Sequence, residues 1–223
     1  MPAQSAYALH SADSAQSAGL TASLVAALAA QGQSRRFRKG SLLIQEGDVG
    51  DTLYIIQAGR IRAYAADDKG KEITLGIYGP GDYVGEMALD GGPRSANVEA
   101  LEPTTCAVVS RDLLRSFIAS EPEFAFELMK RLIHRARLAT ESARTLALID
   151  VYGRLTRLLE QLASIEDDGT RVLRERITHQ EIANHIACSR EMVSRLLKDL
   201  EAGGYVALRE RRLVLLKSLP ARW

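Results

Sequence analysis

Cysteine is nearly absent from this 223-residue chain. The two present, Cys106 and Cys188, are too few for a disulfide framework or for the four thiolates of an ordinary iron–sulfur cluster. Histidine is also scarce. His10, His134, His179 and His185 form no HxxxH or CxxH arrangement, so no structural zinc site is expected, and no cluster of soft ligands accompanies His134 to argue for haem. Nowhere do about 18 apolar residues run together, which excludes a membrane-crossing helix. No basic segment followed by an apolar core opens the chain, so the cytoplasm is the expected location. With no metal-ligand cluster and no convincing nucleophile–base pair, an enzyme such as a nucleotide phosphodiesterase is disfavoured, and neither a metal nor a cofactor is expected.

What remains is an ordinary globular composition, 46% hydrophobic and 26% charged, in a chain long enough for one large domain or two ordinary ones. The net charge of +1 is unevenly spread: residues 151–223 hold 13 Lys and Arg against 10 Asp and Glu, and the first 150 hold 16 against 18. A mildly basic end on an acidic body fits nucleic-acid binding, although a solvated helical face gives the same excess.

Residues 1–18 are mostly Ala, Ser and Gln and read as a flexible tail, followed by a short helix over 20–31. From Arg36 to Ser110 glycines recur between short β-branched or aromatic runs such as "TLYIIQAGRIRAYA" and "EITLGIYG", with a hairpin turn at "DDKGK". Frequent glycine turns between short strands predict a β-sandwich or barrel. After Arg111 the pattern turns helical, and no Gly or Pro interrupts Phe124 to Ile149. Met129, Leu132, Ala136, Ala139, Ala143 and Leu146 follow the alternating three–four spacing of a heptad seam, which predicts a homodimer. The alternative is a helix lying on its own β-domain. Asp150 caps a further helix carrying Leu155, Leu158, Leu159 and Leu162, so a domain boundary is expected at 149/150.

The stretch "ITHQEIANHIACSREMVSRLLKDLEAGGYV" carries a stronger signal. Thr178 and Glu181 make a capping box for a short helix that buries Ile182, Ala183 and Ile186; after "ACS", Ser189 caps a second. There Val193, Leu196, Leu197 and Leu200 face inward by spacing, which turns Arg190, Glu191, Ser194, Arg195 and Lys198 outward. Such a pair is a helix-turn-helix for double-stranded DNA: an arginine fork fits guanine and a glutamate accepts from cytosine. Thr178, His179 and Gln180 open the first helix, where short polar groups and backbone N–H groups hold phosphate. "YVALRERRLVLLK" reads as a two-stranded wing. A helical packing module with plain surface charges is the competing explanation.

"GEMALDGGPRSA", Gly85 to Ala96, sets a glutamate and an arginine on either side of a Gly-Gly-Pro break. Arg94 and Ser95 suit a phosphodiester anion, Gly85 with the N–H groups at Glu86, Met87 and Ala88 offers a nest, and Glu86 suits a ribose hydroxyl. A surface Glu86–Arg94 salt bridge is the plainer alternative. With "CSREMVSRLLKDLE" downstream of a heptad helix, the chain resembles the Crp/Fnr family of bacterial transcription regulators over roughly residues 20–220.

The resemblance implies an α+β fold. Its parts are a β-roll (jelly-roll) cyclic-nucleotide-binding domain over 19–122, a dimerisation helix over 123–149 and a winged helix-turn-helix domain over 150–223. It implies that Gly85, Glu86, Met87, Ala88, Arg94 and Ser95 bind the nucleotide, that Arg135 lies near Glu86, and that RNA polymerase is a partner. It also implies a palindromic TGTGA-like site. Two departures stand out: the Glu86–Arg94 loop is short, and Ala139 and Thr140 occupy positions where cyclic-AMP-binding members have two adjacent hydroxyl residues, of which Thr140 keeps one and is expected to approach the base while Ala139 cannot donate. Cyclic AMP is the expected effector, ahead of cyclic GMP, cyclic di-GMP and ligand-independent regulation.

Overall fold

The computed structural model describes residues 15–166, 170–209 and 211–220, with side chains from residue 22 onward. Residues 1–14 of the expected tail lie outside these. Helix α1 (Ala15–Gln31) begins ahead of the expected residue 20. Its start is "AQSA", and alanine, the best helix former, extends the helix where low apolar content suggested coil.

Eight strands follow: β1 (Gln33–Phe37), β2 (Leu42–Ile44), β3 (Leu53–Ala58), β4 (Ile61–Ala66), β5 (Glu72–Tyr78), β6 (Tyr83–Val84), β7 (Asn97–Ala100) and β8 (Thr104–Val109). They form two four-stranded sheets, ordered β1-β8-β3-β6 and β2-β7-β4-β5. The period-two pattern is visible in β4, where Ile61 and Ala63 are buried and Arg62 and Tyr64 are less so. On the outer face Arg62 pairs with its cross-strand neighbour Glu99 at 2.8 Å and lies 4.4 Å over the Tyr64 ring. Ile44, Tyr54, Ile56, Ile61, Val84, Val98 and Cys106 fill one apolar cluster of the β-roll. A second cluster lies under α1 and under α2 (Arg111–Ser120), where Leu28, Leu53, Ile55, Tyr83, Phe117 and Phe124 meet.

Helix α3 (Glu123–Leu148) is uninterrupted. Then come α4 (Val151–Leu162), strands β9 (Ala163–Ile165) and β10 (Arg171–Leu173), helices α5 (His179–Ile186) and α6 (Arg190–Ala202), and strands β11 (Val206–Arg209) and β12 (Arg212–Leu215). The β9–β10 pair was not expected from the sequence. It joins the wing in one sheet of order β11-β12-β10-β9. Leu155, Leu159, Leu162, Leu173, Ile182, Ile186, Val193, Leu197 and Leu200 make the core of this part, with Leu158 and Leu196 packed against it. By contact the described residues divide into two compact units, 15–65 with 74–137, and 66–73 with 138–220. The architecture is α+β: a β-roll, a long helix, and a helix-turn-helix with a small sheet.

Candidate functional site

In the first unit, the opening loop of the candidate site is set by Gly85. Its φ of 94° is left-handed, and a Cβ there would sit 2.6 Å from the Thr52 carbonyl oxygen and 2.8 Å from Arg94 Nη1. Gly85→Ala is therefore expected to cost about 1–3 kcal/mol, read as a lowered midpoint in thermal or denaturant unfolding. An alanine protein as stable as the wild type would show that the backbone relaxes freely there.

A 3₁₀ turn over Glu86–Asp90 follows, burying Glu86 and Ala88 and leaving Met87 exposed. Glu86 is 5% exposed, a costly place for a carboxylate unless it is paired. Its Oε1 accepts from Arg135 Nη1 on α3, while its Oε2 is buried with no hydrogen-bond partner among the described residues. Arg135 also donates to the Tyr83 carbonyl at 2.5 Å and stands 4.7 Å over the Tyr78 ring. Burial works to lower the Arg135 pKa, but the attraction and hydrogen bond of Glu86, together with Tyr78 and Tyr83, outweigh it and raise the pKa above its usual value. One turn earlier, Arg131 donates to Asp82 Oδ1 at 3.0 Å and lies 4.8 Å over the Tyr83 ring. Two arginines thus fasten the start of α3 to the β-roll. Burial between these groups pushes the Tyr83 hydroxyl up to about 12.

Arg94 is 7% exposed and does not pair with Glu86, so the alternative of a direct Glu86–Arg94 bridge is not formed. Its Nη1 donates to Gly85 O at 2.9 Å, and its Nη2 donates to Thr52 O and Thr52 Oγ1, each at 3.0 Å. Gly50 admits it closely, since a Cβ there would lie 2.9 Å from Nη2. Ser95 is exposed, its hydroxyl donating to Met87 Sδ at 3.4 Å. Gly85, Glu86, Met87, Ala88, Arg94, Ser95 and Arg135 therefore belong to one compact unit. Thr140 is exposed on α3 and belongs to the other. Sequence reasoning missed Thr52, Tyr78, Tyr83, Asp82 and Arg131. The four-residue spacing of Arg131 and Arg135 was a readable signal for one face of a helix; Thr52 had none.

The second unit carries the helix pair. Thr178 accepts from Glu181 N at 3.1 Å and Glu181 Oε2 accepts from Thr178 N at 2.6 Å, so both halves of the capping box are made. Ala187, in the left-handed region at φ 53°, turns the chain, and Ser189 caps α6 by accepting from Met192 N at 3.2 Å. Arg190, Glu191, Arg195 and Lys198 are exposed and Ser194 is half-buried. Thr178, His179 and Gln180 are exposed at the start of α5, and His179 Nδ1 lies 2.8 Å from Ser194 Oγ, tying the two helices at their polar face. Arg195 Nη2 lies 3.0 Å from Met192 Sδ. On α3, Met129, Leu132, Ala136, Ala139, Ala143 and Leu146 are all exposed among the described residues.

Two family models match: the cyclic nucleotide-binding domain over residues 34–121 and the bacterial regulatory proteins of the crp family over 176–205. The CRP-like cAMP-activated global transcriptional regulator of Mycobacterium tuberculosis is 33% identical over 201 residues, which cover 88% of this chain and 90% of that protein. The cAMP-activated global transcriptional regulator Vfr of Pseudomonas aeruginosa is 34% identical over 191 residues, covering 81% of this chain and 88% of Vfr. Among solved structures, the c-di-GMP responsive global regulator CLP of Xanthomonas campestris superposes with a TM-score of 0.78 at 28% identity, covering 88% of this chain and 99% of CLP.

Proposed function

This chain belongs to the Crp family of transcription regulators, which are DNA-binding proteins and not enzymes, and from that premise we propose that it is a homodimer switched by cyclic AMP. The division of labour follows residues 19–122 for sensing, 123–149 for dimerisation and 150–223 for DNA, with action in the cytoplasm and RNA polymerase as partner. The operator is a palindrome with TGTGA-like half-sites.

The observation that carries the sensing role is the buried carboxylate of Glu86. One oxygen is tied to Arg135 and the other is a buried acceptor without a donor among the described residues. An unmade hydrogen bond at a buried charged group costs several times a typical net bond, and a ribose hydroxyl supplies the missing donor. In the same unit, Arg94 spends part of its fork on Thr52 and Gly85 and retains Nε–H and an Nη1 hydrogen for a cyclic phosphate. Ser95 adds a hydroxyl. Because Glu86 is tied to α3 through Arg135, occupancy is felt by the helix, and a ligand that fits one helix position better shifts the population toward it.

The dimer reading is supported by the exposed seam: Met129, Leu132 and Leu146 are 46%, 37% and 40% exposed, and the alanines between them permit close backbone approach. A dimer sets two copies of α6 about 34 Å apart, one helical turn of DNA. A second reading, cyclic di-GMP, is favoured by the likeness to CLP and by Ala139, which offers no hydroxyl to adenine.

Parallel calorimetry with cyclic AMP, cyclic GMP and cyclic di-GMP, paired with DNA titrations, tests this. Saturable cyclic AMP binding that tightens DNA binding at least tenfold is expected. Full-strength operator binding with no nucleotide taken up would overturn the sensing role, and uptake of cyclic di-GMP alone would replace the effector.

A further inference from the structure

Arg154 lies outside the nucleotide loop and, on α4, outside the α5–α6 pair, yet its guanidinium joins two helix ends. Nη1 donates to the Ile149 carbonyl at 2.7 Å and Nε donates to the Ile186 carbonyl at 2.9 Å. Ile149 closes the last turn of α3, its N–H bonding to Thr145 O at 3.0 Å. Ile186 is the last residue of α5, immediately before the turn into α6. Both carbonyls are among the final four of their helices, which have no intrahelical donor, and both lie at the negative ends of helix dipoles. A half-buried arginine on the first turn of α4 satisfies the two with one planar fork.

The alternative route from α3 to the helix pair is the covalent joint at Ile149–Asp150. There α3 ends, and Asp150 starts α4 by accepting from Gly153 N at 2.7 Å. Rotation about that joint changes the angle between α3 and everything after it unless a second tie resists. Arg154 is such a tie. Its donor directions are fixed by the plane of the guanidinium, and its two acceptors belong to the end of the long helix and to the end of the helix that seats α6.

We propose that Arg154 is the positioning residue that couples α3 to the DNA-reading helices, passing a nucleotide-driven shift of α3 to α6 instead of letting the joint absorb it. This rests on the nucleotide-responsive reading above. It assigns to Arg154 neither nucleotide nor base contact.

The test compares wild type, Arg154→Gln and Arg154→Lys as full-length proteins. Nucleotide affinity is measured by calorimetry. DNA affinity is measured by fluorescence anisotropy, with and without saturating cyclic AMP (or cyclic di-GMP, if that is the nucleotide taken up), on a palindromic duplex recovered with the wild type by binding-site selection. In Arg154→Gln the nucleotide affinity should stay within about twofold of wild type, while the ratio of DNA affinities with and without nucleotide falls at least tenfold. Arg154→Lys keeps the charge but not the planar fork and should fall in between; if the glutamine protein fails to fold, the lysine protein alone decides the test. A residue that merely supports the fold would lower DNA affinity equally in both states, so an unchanged ratio in the variants overturns the inference while the proposed function stands. A wild type whose DNA affinity ignores every nucleotide removes the proposed function and the coupling role together.

Discussion

Replacing Arg94 with leucine is expected to weaken cyclic-nucleotide binding by roughly 10²–10⁴-fold, the largest single-residue loss in the sensing unit. The magnitude follows from what a buried guanidinium does. Removing one partner of a buried ion pair costs about 3–5 kcal/mol, because the remaining charge is left without its counter-ion in a poorly solvated place. In the leucine protein the cyclic phosphate would be that remaining charge. A second cost falls on the free protein: the Thr52 and Gly85 carbonyls, which accept from Arg94 at 3.0 and 2.9 Å, lose a donor. Thermal unfolding of the unliganded protein should therefore shift downward as well. Arg94→Lys keeps a charge but offers a compact ammonium in place of a fork, so it should bind more weakly than wild type and more tightly than the leucine protein. Calorimetry on the three proteins checks the order. Wild-type affinity in Arg94→Leu would remove the phosphate from the account of this loop.

The ease of reading this protein from its sequence varies with the range of the interactions involved. Caps and stripes are local. Thr178 with Glu181, Ser189 before α6, and the leucines of α4 act within one or two turns, and each is made as spacing predicts. The heptad spacing on α3 is local in the same way, and its six residues are exposed among the described residues. Short strands were harder. β9 and β10 have three residues each, too few to display a period, and their pairing is decided by the wing strand β12 beside them. The candidate site was half legible. The loop from Gly85 to Ser95 announced its residue types, but the partners came from far along the chain. Thr52 meets Arg94 across 42 positions, and Arg135 meets Glu86 across 49. Arg135 was reached through family resemblance, whereas Thr52 had no spacing, charge or motif to mark it. The same loop invited a Glu86–Arg94 pair. Folding gives each residue a different partner, Arg135 for Glu86 and Thr52 with Gly85 for Arg94.

Replacing Arg190 with alanine is expected to lower affinity for the best operator by roughly 10–100-fold for each half-site while leaving non-specific binding nearly unchanged. Arg190 is the first residue of α6 and is exposed, as a side chain entering the major groove from the helix N-terminus has to be. A bidentate arginine–guanine contact is worth about 1–3 kcal/mol of discrimination, and alanine presents nothing to replace it. Its loss should therefore appear at one base pair of each half-site as a guanine preference that fades in a binding-site selection. Phosphate contact predicts a different pattern. An arginine that only neutralises backbone charge would, when removed, weaken binding uniformly across sequences and reduce the slope of log affinity against log salt by about one per subunit. The two roles separate in a pair of measurements: selection with the alanine protein, and titration of specific and random duplexes across a salt series. Because α6 is anchored by Val193, Leu197 and Leu200 and by the Ser189 cap, none of which the substitution touches, the helix itself should remain in place. An unaltered consensus together with a shallower salt slope would move Arg190 to the backbone and leave Glu191 and Arg195, the other exposed groups near the helix start, to read the bases.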